Sequence, residues 1–400
     1  MIPLRSAFAA IFLGAAVAWP AVPSQGGWFL PPLDGELSGE FNALVLGGAP
    51  KLNWKFALRT ENLRERIVDF LIEGRGLRVQ GGARLDPVGE GSWRITGATV
   101  DLGEWFGWLA PQFSTEAAGM SCAGSLELTG EGTWLGGVLG GRARFSLREG
   151  RIDDPAQKFL LEGISVDVEI ADLATWRTEL AQVFSWRSGR YDVVALGVGR
   201  IEFALDAEQV RVTKAAIDVF GGELNVGSLV MSTRRPEFSV IARMDGVAVD
   251  QILFLLPPVL SEAHGRMDGS VALRRDSTGI QIGNGRLALR AGETADLRLA
   301  VKPGWLSTSL PPAVIKYFPG FQKMETGEIP VRARVLEVTL TPLGDAEGRT
   351  AWVHLAGGPS DPTFTAPIQT DVNVRGPLEA LVKIGAELGT NPRLRFGDTR

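Results

Sequence analysis

The side chains that most often carry catalysis are scarce in this chain of 400 residues. Its two histidines, His264 and His354, lie in different segments, with no cysteine or carboxylate at ligand spacing. A zinc site or a Ser-His-Asp arrangement needs several such groups together. We therefore interpret His354, which lies between Val353 and Leu355, as a solvated or structural histidine. We expect neither a metal nor a cofactor.

The remaining candidates for chemistry have simpler explanations. Asp153 and Asp154 could form a carboxylate pair, but they precede Pro155, where aspartate commonly serves the turn itself. The single cysteine, Cys122, lies in a strand-like run and is expected to be an inert, half-buried thiol. The chain has no phosphate-loop Gly-Lys-Ser/Thr and no Gly-x-Ser-x-Gly elbow. We predict that the protein is not an enzyme; an unrecognised carboxylate site is the alternative.

Composition excludes several protein classes. With 45% hydrophobic residues and no short repeat, the 50 glycines and 23 prolines indicate numerous turns rather than a collagen-like or disordered chain. The net charge of −5 argues against nucleic acid, which requires a clustered basic face. The 11 tryptophans suit either boundaries between apolar and wet surroundings or ordinary cores.

The N-terminus predicts export. Arg5 is followed by an apolar, alanine-rich stretch from Ala7 to about Val22, which is interrupted by Gly14 and Pro20. This layout is typical of a secretory signal peptide and is short for a membrane-spanning helix. We therefore predict a signal peptide or, alternatively, an uncleaved anchor over residues 1–22.

The elements that would position any site are mainly strands. Apolar and polar side chains alternate in many short runs, which places one set on each face of a sheet. One apolar and one solvated face are typical of antiparallel sheets. The clearest runs are 165–170, 201–205, 210–212, 217–219, 331–340 and 368–374.

Glycine pairs and a few helical patterns punctuate these runs. We predict turns at the glycine pairs 81–82, 136–137, 140–141, 221–222 and 357–358. Helical spacing predicts helices over 61–72, 101–109, 249–256 and 377–388, and a helical or irregular connector over 175–184. No stretch has the character of a linker, so we predict one domain over residues 23–400. Its apolar face either closes as an ordinary core or stays partly open for apolar ligands.

A succession of segments carries a family resemblance. It begins at 162–168, continues through 199–205 and reaches Val219-Phe220-Gly221-Gly222-Glu223-Leu224, a strand that enters a double-glycine turn and returns. Further segments follow at 244–253, 263–273 and 279–287. In this order they resemble the YdbH-like proteins, a branch of the AsmA-like group that also includes TamB. The most family-like part is residues 162–301.

The resemblance implies a fold and a function. The fold would be mainly β: an elongated, curved antiparallel sheet with few short helices, whose concave face forms an apolar groove. Phospholipid would move along the groove between the inner and outer membranes, with acyl chains inside and the headgroup outside. The resemblance also implies the periplasm or envelope of a Gram-negative bacterium, with an inner-membrane anchor as a variant.

Candidate groove residues come from the strongest alternating strands. The opposite set would line the groove if the register slipped by one residue. The candidates are Ile201, Phe203, Leu205, Val210, Val212, Ile217, Val219, Leu224 and Val226.

Sheet length bears on partners. Roughly 18–22 strands, each about 4.8 Å from the next, would give a sheet on the order of 90–105 Å long. Because we expect that to be too short for a periplasm, a further envelope protein that extends the groove is a candidate partner. The alternative function is an assembly factor for outer-membrane proteins that offers strand edges for pairing.

Overall fold

The structure is a computed structural model. It describes residues 22–24, 27–29, 34–41, 51–61, 65–86, 89–113, 119–179, 181–192, 194–233, 235, 237–255, 260–276, 279–299, 311–318, 320–364 and 366–376. Residues 1–21 of the predicted leader and the predicted helix over 377–388 lie outside the described residues.

The protein is mainly β, with 70% of it in antiparallel strands and only a few short helices, which confirms the predicted fold class. The elongated, curved shape of the groove stays a prediction. Contacts divide the chain into two compact units. Unit 1 comprises Met1–Asp192 and Arg200–Thr213, and unit 2 comprises Val193–Gly199 and Lys214–Arg400. The prediction of a single domain over residues 23–400 stays a prediction.

The strands of unit 1 form a meander. From β3 to β10 each strand pairs antiparallel with the next, and β10 also pairs with β11, β12 and β13. The strands are β1 (Val22–Ser24), β2 (Gly27–Phe29), β3 (Gly35–Phe41), β4 (Leu52–Glu61), β5 (Glu65–Gly74), β6 (Leu77–Leu85), β7 (Gly91–Asp101), β8 (Ser121–Leu135), β9 (Val138–Asp154), β10 (Phe159–Asp172), β11 (Arg177–Thr178), β12 (Gln182–Trp186) and β13 (Ser188–Tyr191).

Unit 2 is also antiparallel. Two further strands, β14 (Val194–Asp206) and β15 (Gln209–Val219), contribute residues to both units. The strands that follow are β16 (Gly222–Val226), β17 (Leu229–Ser232), β18 (Phe238–Ala248), β19 (Leu260–His264), β20 (Arg266–Asp276), β21 (Gly279–Leu289), β22 (Ala295–Leu299), β23 (Val331–Leu340), β24 (Ala351–Pro359) and β25 (Ile368–Val374). Pairing runs from β16 through β18, β20, β21, β23 and β24 to β25.

The helices are short. Helix α1 (Leu102–Phe113) and a 3-10 helix (Val249–Leu255) confirm two of the predicted helices, and α2 (Pro312–Tyr317) and α3 (Gly320–Glu325) lie in unit 2. Among the described residues, no helix is both long enough and apolar enough to cross a membrane.

The predicted helix over 61–72 is wrong, because residues 65–74 form strand β5. Its buried side chains, Arg66, Val68, Phe70 and Ile72, follow the period of two that a strand requires. Half-buried apolar residues on the opposite face complete an apolar run that imitates helical spacing. Backbone pairing with β4 on one side and β6 on the other decides the conformation.

Two other predictions need correction. The connector over 175–184 contains strand β11 and the start of β12. The glycine pairs 81–82, 140–141 and 357–358 lie inside strands rather than in turns. Gly81 shows the reason: a Cβ there would lie 2.3 Å from the Arg94 carbonyl oxygen and 2.6 Å from Cζ of Phe70, so glycine makes room for a neighbouring aromatic ring.

The predicted turn at 136–137 is confirmed, and the one predicted at 221–222 lies one residue earlier, because Gly222 begins strand β16. Gly136 and Gly137 join β8 to β9, and both have positive φ. Phe220 and Gly221 join β15 to β16, again with positive φ at both positions. A two-residue turn with this geometry follows the right-handed twist of its strands, which is why glycine is favoured there.

Candidate functional site

Unit 1 has one continuous apolar sheet face. Because register partners on neighbouring strands lie on the same face, the pairing defines rows of side chains that run across the strands. One row is Phe56, Phe70, Gly81, Ile95, Gly130, Ala143 and Ile170. The next is Trp54, Ile72, Val79, Ala98, Leu128, Phe145 and Val168. Both rows extend from β4 to β10.

The rows are only partly covered. Phe70, Ile72, Trp93 and Ile95 belong to a buried cluster. Around that cluster lie apolar side chains that remain half-buried, namely Trp54, Phe56, Val79, Leu128, Phe145 and Val168. The face is therefore neither a closed core nor a fully exposed surface.

Helix α1 covers one end of this face. Asp101 caps the helix, since its Oδ1 accepts a hydrogen bond from the Gly103 N–H at 2.8 Å. Trp105 is buried and donates from Nε1 to the Arg75 carbonyl oxygen at 2.8 Å, and the Trp108 ring meets it edge-on. The helix packs on β7 and β8. These contacts close the end of the face that lies beside the β5–β6 turn.

The opposite end of the face carries a buried arginine. Arg66 is 6% exposed and shares its face of β5 with Val68, Phe70 and Ile72. Its Nε and Nη2 make no hydrogen bond. Burial lowers the pKa of the guanidinium, which nonetheless stays charged near neutral pH. Buried charges are normally paired with an opposite charge, so Arg66 is a candidate anion-binding residue.

The other face of unit 1 is polar and internally neutralised. Glu131 lies between Arg94 and Arg142, within 3.0 Å of the Arg94 guanidinium, and Arg144 pairs with Asp167. A shallow depression of about 430 Å³ lies among these residues. Because its arginines already have carboxylate partners, the depression is a solvated ion-pair surface rather than a free anion site.

Unit 2 has an apolar face of its own. One row runs through Ile217, Leu224, Met244, Gly269, Leu287, Val338, Val353 and Val372. Met244, Leu287, Val338 and Val353 are buried, as are Ile252 of the 3-10 helix and Met324 of α3. This face is covered more completely than that of unit 1.

The nine candidate groove residues divide between the units. Ile201, Phe203, Leu205 and Val210 are half-buried in unit 1, where Val212 is buried. In unit 2, Ile217 pairs directly with Leu224, whereas Val219 and Val226 are buried.

Burial along β15 changes phase in the middle of the strand. Thr213 and Lys214 are both exposed, and the buried residues on either side, Val212 and Ala215, are three positions apart. A strict period of two therefore does not connect the first candidates on β15 to the last ones.

The residues considered for catalysis are satisfied locally. His354 Nδ1 lies 2.6 Å from Asp371 Oδ1, and its ring stacks on Trp352; its structural role stays a prediction. Asp154 Oδ1 accepts from the backbone N–H groups of Ala156 and Gln157, as a turn aspartate does. Cys122 is buried, and burial raises the pKa of its thiol. In the part of the chain that the structure describes, no group of three or more His, Cys, Asp or Glu could hold a metal.

The sequence reasoning missed strands β4–β7 and Arg66. The wrong helix over 61–72 hid β5 and with it Arg66. The signal that could have revealed them is the run of β-branched and aromatic residues in β5, namely Ile67, Val68, Phe70 and Ile72.

Comparison with known proteins supports the resemblance. Residues 109–298 match the family model YdbH-like, described as "Intermembrane phospholipid transport protein YdbH". The match begins well before the most family-like part predicted, residues 162–301, and ends near the same position. No curated protein and no solved structure matches the chain. This match over residues 109–298 confirms the resemblance to the YdbH-like intermembrane phospholipid transport family that the sequence predicts.

Proposed function

We propose that this protein binds phospholipid by its acyl chains and takes part in carrying it between the inner and outer membranes, without chemical turnover. The observation that carries the proposal is the partly covered apolar face of unit 1, with Trp54, Phe56, Leu128 and Phe145 half-buried on it. The family description agrees, since it names intermembrane phospholipid transport.

The face supplies enough free energy for this role. Keeping one methylene from water is worth about 0.8 kcal/mol, so five methylenes contribute about 4 kcal/mol, a factor of roughly a thousand in affinity. An apolar track therefore holds acyl chains with little contribution from the headgroup. Because hydrophobic contact is not directional, a lipid could also shift between neighbouring rows.

The proposal extends to the candidate residues on β14–β16. Phe203 and its half-buried neighbours Ile201 and Leu205 would continue the lipid-contacting surface in unit 1. Ile217 and Leu224 would do so in unit 2, where their direct pairing gives a shared apolar patch.

The proposed surroundings are the periplasm or envelope of a Gram-negative bacterium, with residues 1–22 as a signal peptide or an anchor. The partners would be phospholipid acyl chains, the membranes, and a further envelope protein that extends the groove.

The test compares two variants of strand β8, one with a new charge on the apolar face and one with a new charge on the polar face. Leu128 is half-buried on the apolar face, whereas the adjacent Thr129 is exposed on the polar face. We expect Leu128→Arg to lower the phospholipid that co-purifies with the full chain at least tenfold, because acyl chains would have to desolvate a new charge in the middle of the face, away from any headgroup. Thr129→Arg should retain its lipid. Native mass spectrometry measures both, and circular dichroism checks the fold.

Two results would count against the proposal. One is wild-type protein free of lipid that takes up none from vesicles. The other is equal lipid in both variants when both are folded. A stable complex with an outer-membrane protein assembly component, formed without lipid, would favour the strand-edge alternative.

A further inference from the structure

The strand ends of β4 to β9 that lie opposite helix α1 form one edge of the sheet. One row of register partners runs along it, and we call this row, together with the tip of the β8–β9 hairpin, the turn edge. The row consists of Thr60, Arg66, Leu85, Gly91, Trp134 and Leu139. The buried arginine and the base of the β8–β9 hairpin therefore share one row of the apolar face.

The tip of the β8–β9 hairpin is unusually apolar for an exposed turn. Leu135 is 53% exposed and Val138 is 55% exposed, on either side of the two glycines. The ten residues 132–141 contain no charged side chain. Exposed turns ordinarily consist of polar residues, and an apolar projection beside a tryptophan suits a membrane interface.

The tip is held in place rather than loose. The Gly136 N–H donates to Glu90 Oε1 at 2.8 Å, which ties the hairpin to the β6–β7 turn. Trp93 donates from Nε1 to the Gly140 carbonyl oxygen at 3.2 Å. Two exposed apolar side chains are thus presented on a fixed support.

Arg66 is an independent sign of a ligand at this edge. Its side chain is more than nine-tenths buried, yet Nε and Nη2 have no partner. A planar guanidinium matches a phosphate with two parallel hydrogen bonds, and apolar surroundings strengthen that pairing.

The length of strand β5 from Arg66 to Ile72 is compatible with a bound acyl chain. From Arg66 to Ile72 the strand covers six residues, about 20 Å at the usual rise. One leaflet of a bilayer has a hydrocarbon depth of about 15 Å. An acyl chain whose phosphate lies at Arg66 would therefore reach the rows near helix α1, which closes the far end.

We propose that the turn edge is where unit 1 docks on a lipid bilayer and receives phospholipid: Leu135 and Val138 insert into the interface, and Arg66 binds the phosphate of the incoming lipid. The inference rests on the proposed function and adds to it the docking segment, the headgroup chemistry and the residue that recognises it.

Docking is tested with the full chain and vesicles of phosphatidylethanolamine and phosphatidylglycerol. The double variant Leu135→Glu/Val138→Glu should lose vesicle flotation at least tenfold. A matched control, Leu343→Glu/Val230→Glu, makes the same replacements at exposed residues of unit 2 and should float like wild type. Equal flotation of the two variants would overturn the docking. If the wild type is a dimer and the tip variant is a monomer, the tip is a contact between copies of the chain, which would also overturn the docking.

Headgroup recognition is tested with Arg66→Met. Removing an unpaired buried charge should raise the melting temperature, while uptake of phosphatidylglycerol falls at least tenfold and uptake of diacylglycerol, which lacks phosphate, is unchanged. A lower melting temperature, or equal phosphatidylglycerol uptake, would overturn the role of Arg66. Protection of the wild type by inorganic phosphate alone would indicate a free-anion site and overturn the lipid assignment.

The controls separate this inference from the proposed function. Wild-type protein that takes up neither phosphatidylglycerol nor diacylglycerol would contradict lipid binding altogether. Uptake of both lipids that is indifferent to Arg66→Met and to the tip variant would overturn the turn edge alone.

Discussion

Individual charged residues of unit 1 divide into paired and unpaired ones. On the polar face, Glu131 accepts hydrogen bonds from Arg142 and Arg94. Both bonds lower the pKa of its carboxyl group, and the bond from Arg142 has the larger effect. On the apolar face, Arg66 is buried without such a partner. Ion pairs at exposed positions contribute little to stability, whereas an unpaired buried charge costs stability.

The lowered pKa of Glu131 predicts a pH dependence. A carboxyl whose pKa is lower in the folded state stabilises the protein above its ordinary pKa, about 4.3 for glutamate. That stabilisation is lost as the pH falls through the folded-state value. We therefore expect Glu131→Gln to be slightly destabilising at pH 7 in urea unfolding, and less so as the pH falls below the ordinary glutamate pKa.

The matched control for this prediction is Glu127→Gln. Glu127 lies on the same strand and the same face, and within the described part of the chain it makes no ion pair. Its replacement should show a smaller change over the same pH range. An equal change for both variants would mean that the Arg94–Glu131–Arg142 arrangement does not act in solution.

Among the elements, the β8–β9 hairpin depends on local geometry that can be measured separately from lipid. Gly136 has φ of +56° and Gly227 has an ordinary φ, and both have open space where a Cβ would be added. Because side chains disfavour positive φ, we expect Gly136→Ala to lower the free energy of unfolding by about 1 kcal/mol. Gly227→Ala should be neutral or slightly stabilising. Equal effects in chemical unfolding would contradict the turn geometry.

Strand β5 shows that a local sequence pattern does not always distinguish a strand from a helix. Its apolar residues satisfy both a helical and an extended arrangement, because Ile67 and Leu71 lie on one face and Val68, Phe70 and Ile72 on the other. Only pairing with β4 and β6 distinguishes the two. By contrast, Asp101 caps α1 through a local hydrogen bond, and this helix could be predicted from its own residues.

At the scale of the whole molecule, each unit has an apolar sheet face, and the two faces differ in how completely their side chains are buried. In unit 2 the row from Met244 to Val353 is buried, as in an ordinary core. In unit 1 the two rows mix buried side chains with half-buried ones such as Trp54, Leu128 and Phe145. We therefore place lipid binding first on unit 1, which includes β14 from Arg200 onward.

The candidate residues on β14 provide a test of that placement. Phe203 is half-buried, whereas Val198 on the same strand is exposed. We expect Phe203→Arg to reduce the co-purified phospholipid per protein by at least half and Val198→Arg to leave it unchanged. Lipid extraction with mass spectrometry measures both. Equal retention in folded variants would remove β14 from the lipid-contacting surface.

The sequence by itself determined the β class, the hairpin turn at Gly136-Gly137, the helix after Asp101 and the family resemblance within residues 109–298. It placed the turn between β15 and β16 within one residue. These features depend on side-chain alternation, backbone freedom and order along the chain, all of which are local.

The tertiary structure alone decided which strands adjoin, that Gly81 lies beneath Phe70 and that Arg66 is buried at the end of an apolar face. Such features depend on register between strands. Register joins residues distant in sequence, so no single segment contains the information.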